Sequence, residues 1–237
     1  MIPKKIHYCW FGRGPMPELA LKCIESWHRY MPDYEYKLWN EDNFEVGSFI
    51  YTKEAYQARK FAFGSDVVRL KALAEEGGIY LDVDFEVYKP FDDLLRYHAF
   101  AGIEGSKYNP VMMGVIASEA GGIWVMEQLN AYYERHFLVE GKEDLTTNVK
   151  FISDRMKTRG FVPDGKEQEY KDLHIFPVDF FCPRLTTGEY LRTSNTYCES
   201  IGNESSWARI TLKSKLLGFF SPRFRTTMIK LKRKIIG

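Results

Sequence analysis

Two aspartates placed two residues apart, Asp82 and Asp84, are the side chains of this 237-residue sequence whose type and spacing most favour chemistry. In residues 77–88, two glycines precede a run of β-branched and aromatic residues, so we predict a helix ending on glycine and then one strand. Successive strand side chains point to opposite faces, which would place both carboxylates on one face. Aligned carboxylates repel each other unless a cation lies between them, and Mg²⁺ and Mn²⁺ prefer oxygen ligands. The alternative is two solvated acids at a strand end.

Asp66 and Arg69 form a second candidate pair, because residues three apart on a helix are neighbours on its surface. We predict that Ser65 caps this helix, which would cover residues 66–76 and end shortly before the aspartates. Arg69 would then place a positive charge, and Asp66 a hydrogen-bond acceptor, beside the two aspartates. The alternative is a surface ion pair, which contributes little to stability.

Strand and helix patterns alternate along the chain, which is typical of an α/β domain. We predict strands over residues 5–11, 34–39, 79–88, 99–103 and 174–181. We predict further helices over residues 18–31 and 122–137, and one that Thr146 or Thr147 caps and that ends at residue 157. The length is sufficient for one such domain with its own core.

The charge of the chain is unevenly distributed. Residues 212–237 contain eight of the 33 basic residues and none of the 32 acidic ones, which leaves residues 1–211 with 25 bases and a net charge of −7. An acidic body argues against nucleic-acid binding. Four cysteines without C-x-x-C spacing predict reduced thiols, and the lack of an apolar run of about 18 residues or a signal-peptide pattern predicts a cytoplasmic protein.

Three motifs occur in a fixed order: I-P-K-K-I-H-Y-C-W at residues 2–10, S-D-V-V-R at 65–69 and G-G-I-Y-L-D-V-D at 77–84. Together they resemble glycosyltransferase family 32, whose members carry a DXD sugar-binding region, and the resemblance extends over about residues 2–210. It implies a GT-A-like α/β domain, with a mostly parallel twisted sheet flanked by helices. We expect this catalytic domain to cover residues 1–211 and a separate basic tail to cover residues 212–237.

The resemblance also implies an activity. It points to a metal-dependent retaining transfer of a hexose from a nucleotide sugar, with a UDP-sugar favoured, to a glycan or lipid-linked glycan acceptor in surface or capsular polysaccharide synthesis. The implied cofactor is Mn²⁺ or Mg²⁺. Two alternatives stay open: a catalytically silent member that binds a glycan or nucleotide sugar, and a different Mg²⁺-dependent nucleotide enzyme such as a nucleotidyltransferase.

Residue roles follow from the same resemblance. Four positions match catalytic residues of the family: Asp66, Arg69, Asp82 and Asp84. The resemblance implies that Arg69 stabilises negative charge near the sugar or diphosphate and that Asp66 accepts hydrogen bonds from sugar hydroxyls. Five positions match residues that contact the donor: Trp10, Tyr80, Asn109, Ser205 and Trp207. Trp10 would stack on the nucleotide base, although without the resemblance a buried core position is the favoured interpretation.

The closing segment of the family usually contains one or two histidines before a Ser-Trp ending. Ser200 and Ile201 stand at that place here, and a missing histidine would remove a metal or phosphate contact. Glu204 is the oxygen ligand that would replace it. The predicted metal ligands are therefore Asp82, Asp84 and Glu204.

The tail has the pattern of a basic amphipathic helix. Phe224, Met228, Leu231 and Ile235 recur at spacings of four, three and four, which places them on one helical face. Such helices lie at membrane interfaces, so we predict peripheral attachment to an anionic membrane surface on its cytoplasmic side. The alternatives are a helix packed on the acidic body and a solvated tail.

Co-sedimentation with anionic vesicles tests this attachment. Each basic residue near an anionic leaflet contributes roughly 1 kcal/mol, so the full chain should bind, be released by high salt, and lose binding when residues 212–237 are removed. Equal binding by the full and shortened chains, or no binding by either, would contradict an anchor.

Overall fold

A computed structural model describes residues 1–106 and 108–202, and residues 1–200 form one compact unit. Its strands are β1 (Lys5–Cys9), β2 (Glu35–Trp39), β3 (Gly78–Leu81), β4 (Phe85–Val87), β5 (Ala99–Ile103), β6 (Val111–Ser118), β7 (Leu138–Val139), β8 (Lys142–Glu143), β9 (Gln168–Tyr170), β10 (Leu173–Phe176) and β11 (Cys198–Ser200). Its α-helices are α1 (Glu18–Tyr30), α2 (Ile50–Gln57), α3 (Phe61–Glu76), α4 (Ile123–Asn130), α5 (Asn148–Lys157) and α6 (Val178–Phe181). The predicted domain boundary at residues 211 and 212 lies outside the described residues.

Seven strands form the central sheet in the order β2-β1-β3-β6-β5-β10-β9. β1 pairs in parallel with β2 and β3, and β5 pairs in parallel with β10. β6 runs antiparallel between β3 and β5, and β9 runs antiparallel on the edge. Five of the seven strands therefore run in one direction, which confirms a mostly parallel sheet. The carboxyl ends of these five strands lie at the same edge of the sheet, where open α/β sheets bind ligands.

Helix α3 lies over β1, β3 and β6. It is buried around most of its circumference, with Val67, Leu70 and Leu73 inaccessible to solvent. A helix that is apolar on several sides belongs in a core, so this burial follows directly from its composition. Polar side chains on α3 are thereby fixed against the end of β3. Among the described residues, no helix has both the length and the apolar character needed to cross a membrane.

Two predictions about the elements around the site are wrong. α3 begins at Phe61, so Ser65 lies inside the helix, where its hydroxyl donates to the Phe61 carbonyl (3.3 Å), and caps nothing. The helix extends upstream because buried Phe63 continues the helical spacing of Val67 and Leu70. The predicted strand over 79–88 is two strands, β3 and β4, which separate at a turn closed by a hydrogen bond from the Phe85 amide to the Asp82 carbonyl (3.1 Å).

Two further elements are shorter than their patterns predict. The helix predicted over 122–137 ends at Asn130, and the strand predicted over 174–181 gives way after Pro177 to the short helix α6. Proline lacks the amide that a strand ladder requires, which explains the break. Thr147 caps α5 as predicted, because its side chain accepts a hydrogen bond from the Lys150 amide.

His7 on β1 is a buried link between the sheet and the end of α3. The Trp39 indole donates to its Nδ1 (3.0 Å), so Nε2 carries the hydrogen and donates to the Gly77 carbonyl (2.8 Å). Burial lowers the pKa of His7, which keeps this neutral tautomer in place. The histidine therefore holds the helix end and does not face a ligand.

Gly77 ends α3 with φ +65° and ψ −179°, a backbone region that is essentially restricted to glycine. A Cβ there would lie 2.7 Å from the Ala120 amide nitrogen. We expect Gly77→Ala to lower the free energy of unfolding by at least about 1–3 kcal/mol, measured by denaturant titration. Gly47→Ala is the matched control, because Gly47 has φ below zero and open space around its Cβ position. Equal stability of the two variants would contradict this role of Gly77.

Candidate active site

The end of β3 brings three predicted residues into one hydrogen-bonded group. Asp82 follows the strand directly, and its carboxylate accepts a hydrogen bond from the Tyr80 hydroxyl (2.8 Å) at one oxygen and from the Arg69 guanidinium (3.3 Å) at the other. The Asp82 amide donates to the Gly114 carbonyl on β6 (2.8 Å), which fixes the backbone. The side chain of Asp82 remains 35% exposed, so it can still face a ligand.

Arg69 is the centre of this group and is only 5% exposed. Besides Asp82 it contacts Asp66 (3.1 Å), the Met113 carbonyl (2.5 Å) and the Ser65 carbonyl (3.4 Å). Its guanidinium also lies 4.6 Å from the centre of the Tyr80 ring, within the range of a cation–π contact. The predicted alternative of a surface ion pair is therefore wrong, because the helix that carries the pair is buried.

Asp66 lies beside Arg69 on α3 and is 6% exposed. Burial raises the pKa of Asp66 to about 7, and only the neighbouring positive charges, Arg69 first, oppose that rise. A buried carboxylate held by a single guanidinium keeps hydrogen-bonding capacity for another donor. This geometry suits the predicted role toward sugar hydroxyls.

Asp84 occupies the turn between β3 and β4, and its carboxylate accepts a hydrogen bond from the Ser200 hydroxyl (2.9 Å). Burial, reinforced by the negative charge of Asp82, raises the pKa of Asp84 to about 6. The two aspartates thus repel each other across a turn instead of along one strand face. Ser200 stands at the position where a histidine was expected, and its hydroxyl now positions the second aspartate of the motif.

The oxygen donors of this turn fit a hard divalent cation, which would relieve the repulsion between Asp82 and Asp84. Within residues 1–106 and 108–202, no group of three or more His, Cys, Asp or Glu side chains converges on a metal position. Two carboxylates are the donor set that these residues supply. The third predicted ligand, Glu204, lies outside the described residues.

Two other residues predicted to contact the donor have hydrogen-bond partners outside this group. Trp10 follows β1 and is half-buried, with its indole nitrogen donating to the Gly14 carbonyl (2.7 Å), so the core interpretation is wrong. Asn109 has φ +43°, and its side-chain amide donates to the Pro163 carbonyl (3.3 Å) on another loop. Their contacts with a donor stay predictions. Ser205 and Trp207 fall outside the described residues.

Two groups that contribute to the site, a main-chain carbonyl and a thiol, were not predicted from the sequence. The Met113 carbonyl is a main-chain atom, and only the pairing of β6 with β3 brings it to Arg69. Cys9 ends β1 beside Arg69 and Tyr80, and burial raises the pKa of this thiol to about 12. Cys9 is therefore a packing residue at the floor of the site.

Comparison with known proteins agrees with this arrangement. Residues 17–101, which include Asp66, Arg69, Asp82 and Asp84, match the family model described as the glycosyltransferase sugar-binding region containing a DXD motif. The chain carries a DXD-type glycosyltransferase sugar-binding region. Asp82 and Asp84 are the two aspartates of the D-x-D triplet in this sugar-binding region.

Individual relatives match shorter parts of the chain. Glucan organizing enzyme 1 of Cryptococcus neoformans is 54% identical over 48 residues, which are 20% of this chain and 13% of that protein. Inositol phosphoceramide mannosyltransferase 3 of Schizosaccharomyces pombe is 35% identical over 105 residues, which are 42% of this chain and 29% of that protein. The chain thus spans less than a third of the length of these curated relatives.

One solved structure supports the fold. It is a glycosyltransferase involved in the glycosylation of the major capsid of PBCV-1, with a TM-score of 0.50 and 13% sequence identity. The match covers 86% of this chain and 96% of that one. At this identity the likeness extends to the fold alone, and it agrees with a GT-A-like architecture around the sugar-binding region.

The buried position of Arg69 predicts a large effect of its removal on stability. Arg69→Ala leaves Asp66 and Asp82 without their guanidinium partner, and breaking a buried pair in this way costs about 3–5 kcal/mol. Arg29→Ala is the matched control, because Arg29 pairs with Glu25 on the exposed face of α1 and should change stability little. Denaturant titration compares the two, and similar small losses would contradict a central role for Arg69.

Proposed function

We propose that the protein transfers a hexose from a nucleotide sugar to a hydroxyl group of a glycan acceptor. The observation that carries this proposal is the arrangement of Asp66, Arg69, Tyr80 and Asp82 at the carboxyl end of β3. A fixed buried cation beside two carboxylates suits a substrate that combines a negatively charged diphosphate with a hydroxyl-rich sugar. The mannosyltransferase names among the relatives support a mannosyl group, and a UDP-sugar remains our favoured donor.

In this proposal Arg69 is preorganised to stabilise charge near the diphosphate, since its contacts hold it in one geometry before any substrate arrives. Asp66 accepts hydrogen bonds from sugar hydroxyls. Asp82 and Asp84, with Glu204, would hold Mn²⁺ or Mg²⁺. Such an ion, when bound, neutralises negative charge that develops on the leaving diphosphate.

We further propose that the anomeric configuration is retained. Tyr80 and Arg69 each donate to one oxygen of Asp82, and Ser200 donates to one oxygen of Asp84. In this proposal both carboxylates hold the cation, so neither is assigned as a nucleophile toward the sugar. This supports front-face transfer, in which a diphosphate oxygen takes the proton of the acceptor hydroxyl.

The acceptor, in our proposal, is a glycan or lipid-linked glycan of surface polysaccharide synthesis, and the enzyme works at the cytoplasmic face of a membrane. The basic amphipathic pattern of residues 212–237 supports this location, since it would bring the enzyme to lipid-linked substrates.

A catalytically silent sugar-binding protein is the second candidate. The observation that favours it is the pair of carboxylates at the motif, to which the described residues add no third acidic, histidine or cysteine ligand. Such a protein would bind the donor and leave it intact, whereas a transferase hydrolyses its donor slowly when no acceptor is present.

Hydrolysis of a panel of UDP- and GDP-hexoses therefore separates the candidates. We expect one donor to release nucleoside diphosphate in the presence of Mn²⁺ and to be stable after metal removal with a chelator. Release of pyrophosphate from a nucleoside triphosphate supplied together with a hexose 1-phosphate would instead indicate a nucleotidyltransferase. Binding of a donor without turnover would indicate the silent protein.

Asp82→Asn and Asp84→Asn should each reduce the Mn²⁺-dependent hydrolysis on the order of 100-fold or more, because each loses one charged ligand of the ion. Asp33→Asn is the control for loss of an aspartate charge, since Asp33 is exposed and pairs with Lys4 far along the chain from the motif. Thermal unfolding checks that all three variants fold. A wild-type rate with unchanged metal dependence in either motif variant would remove that residue from the ligand set.

A further inference from the structure

A second polar cluster, which we call the Glu199 cluster, lies on the other side of Ser200 from the motif. Glu199 is 5% exposed, and one of its oxygens accepts hydrogen bonds from the hydroxyls of Tyr88 (2.5 Å) and Tyr190 (2.9 Å). The Tyr88 hydroxyl also lies 3.1 Å from the Glu86 carboxylate, so two acids face the same phenol. These contacts join the β4–β11 ribbon to the loop that follows α6.

The other oxygen of Glu199 is buried and has no hydrogen-bond partner among the described residues. A carboxylate oxygen can only accept hydrogen bonds, and leaving one unpaired away from water costs free energy. Native structures contain few such groups, and each calls for an explanation. The missing partner is a hydrogen-bond donor that the described part of the chain does not supply.

The loop that carries Tyr190 covers Glu199 from outside. It is a hairpin over residues 183–191, closed by hydrogen bonds between Leu191 and Pro183 (2.7 Å) and between Leu185 and Glu189 (2.9 Å). Tyr190 is 46% exposed, and the Arg184 guanidinium lies 5.3 Å from the centre of its ring, so one partly exposed phenol ring separates Glu199 from solvent there. A partly exposed tyrosine and a carboxylate behind it are groups that bind the apolar face and the hydroxyls of a sugar.

The Glu199 cluster lies at the same edge of the sheet as the motif. The hairpin is tied to the end of β5 by a hydrogen bond from the Thr186 amide to the Gly105 carbonyl (2.7 Å). β5 is separated from β3 by β6 alone, so the two strand ends are about 10 Å apart. Ser200, the next residue after Glu199, bonds to Asp84. Two hexoses, one at each position, would lie side by side.

We propose that the Glu199 cluster is the binding site for the acceptor, and that this acceptor is a neutral hexoside whose hydroxyls donate to Glu199. A neutral ligand is favoured because the charges of Glu199 and Glu86 are balanced by Arg192, 3.8 Å from the centre of the Tyr88 ring, and by Arg184, 5.3 Å from the centre of the Tyr190 ring. Tyr190 supplies a stacking face and moves its hydroxyl aside when the acceptor binds. This inference rests on the proposed transferase function and adds the acceptor class to it.

Binding of methyl mannoside, methyl glucoside and methyl galactoside to the full chain, measured by saturation-transfer NMR titration, tests the site without any need for turnover. At least one of the three should bind the wild-type protein. Glu199→Gln should raise its Kd by about tenfold or more, because a hydrogen bond to a charged group is lost. Tyr190→Phe keeps the ring but removes a competing hydroxyl, so the Kd should fall several-fold.

Glu189→Gln is the matched control, since Glu189 is exposed on the same hairpin and should leave the Kd unchanged. If Glu199→Gln does not fold, the hexoside Kd of the Tyr190→Phe variant still tests the inference. An unchanged Kd in the variants that fold, or binding of none of the three hexosides to the wild-type protein, overturns the inference.

Donor hydrolysis, measured on the same variants, separates the two proposals. The Glu199→Gln and Tyr190→Phe variants should hydrolyse the donor at the wild-type rate, because neither Glu199 nor Tyr190 contacts Asp82 or Arg69. Donor hydrolysis, combined with a hexoside Kd that Glu199→Gln leaves unchanged, refutes the acceptor site but is consistent with the transferase function. Binding that depends on Glu199, with no donor turnover, refutes transfer and supports a hexoside site at Glu199.

Discussion

The burial of one positive charge organises the site. A guanidinium removed from water is stable only where several acceptors surround it, and Arg69 finds them on different elements: Asp66 on its own helix α3, Asp82 after β3 and the Met113 carbonyl on β6. Helix and strands are therefore fixed relative to one another by the same group that would face a ligand. Stability and preorganisation have a common origin here, because the geometry that satisfies Arg69 also orients both carboxylates.

The two motif aspartates are less buried than Arg69. Asp82 accepts hydrogen bonds from two donors and stays partly exposed, and the half-buried Asp84 has a raised pKa because desolvation and the charge of Asp82 both oppose its ionisation. The turn at residues 82–84 thus stores electrostatic repulsion that a bound cation would release. Ser200 joins the β4–β11 ribbon to this turn, so a position that departs from the family pattern still takes part in the site.

The mixed sheet gives the molecule two neighbouring polar regions at one edge. β6 runs antiparallel between β3 and β5, and this pairing brings the motif and the end of β5 to positions about two strand spacings apart. The hairpin over residues 183–191 and the unpaired oxygen of Glu199 belong to the second region. A transferase must hold two sugars in contact, and neighbouring strand ends offer a rigid frame for that task.

Local sequence determined much of this protein. The motif aspartates, the Asp66–Arg69 pair, the glycine at the end of α3 and the α/β class follow from spacing and residue type, which act over a few residues. The tertiary structure decided what depends on long-range pairing. The strand after Gly77 breaks at Asp82 because β4 leaves the sheet for β11, and Asp66 and Arg69 are buried because α3 extends back to Phe61 and lies across three strands. Glu199 gave no local signal, since its partner Tyr88 lies 111 residues away along the chain and Tyr190 reaches it only through the folding of the hairpin against the ribbon.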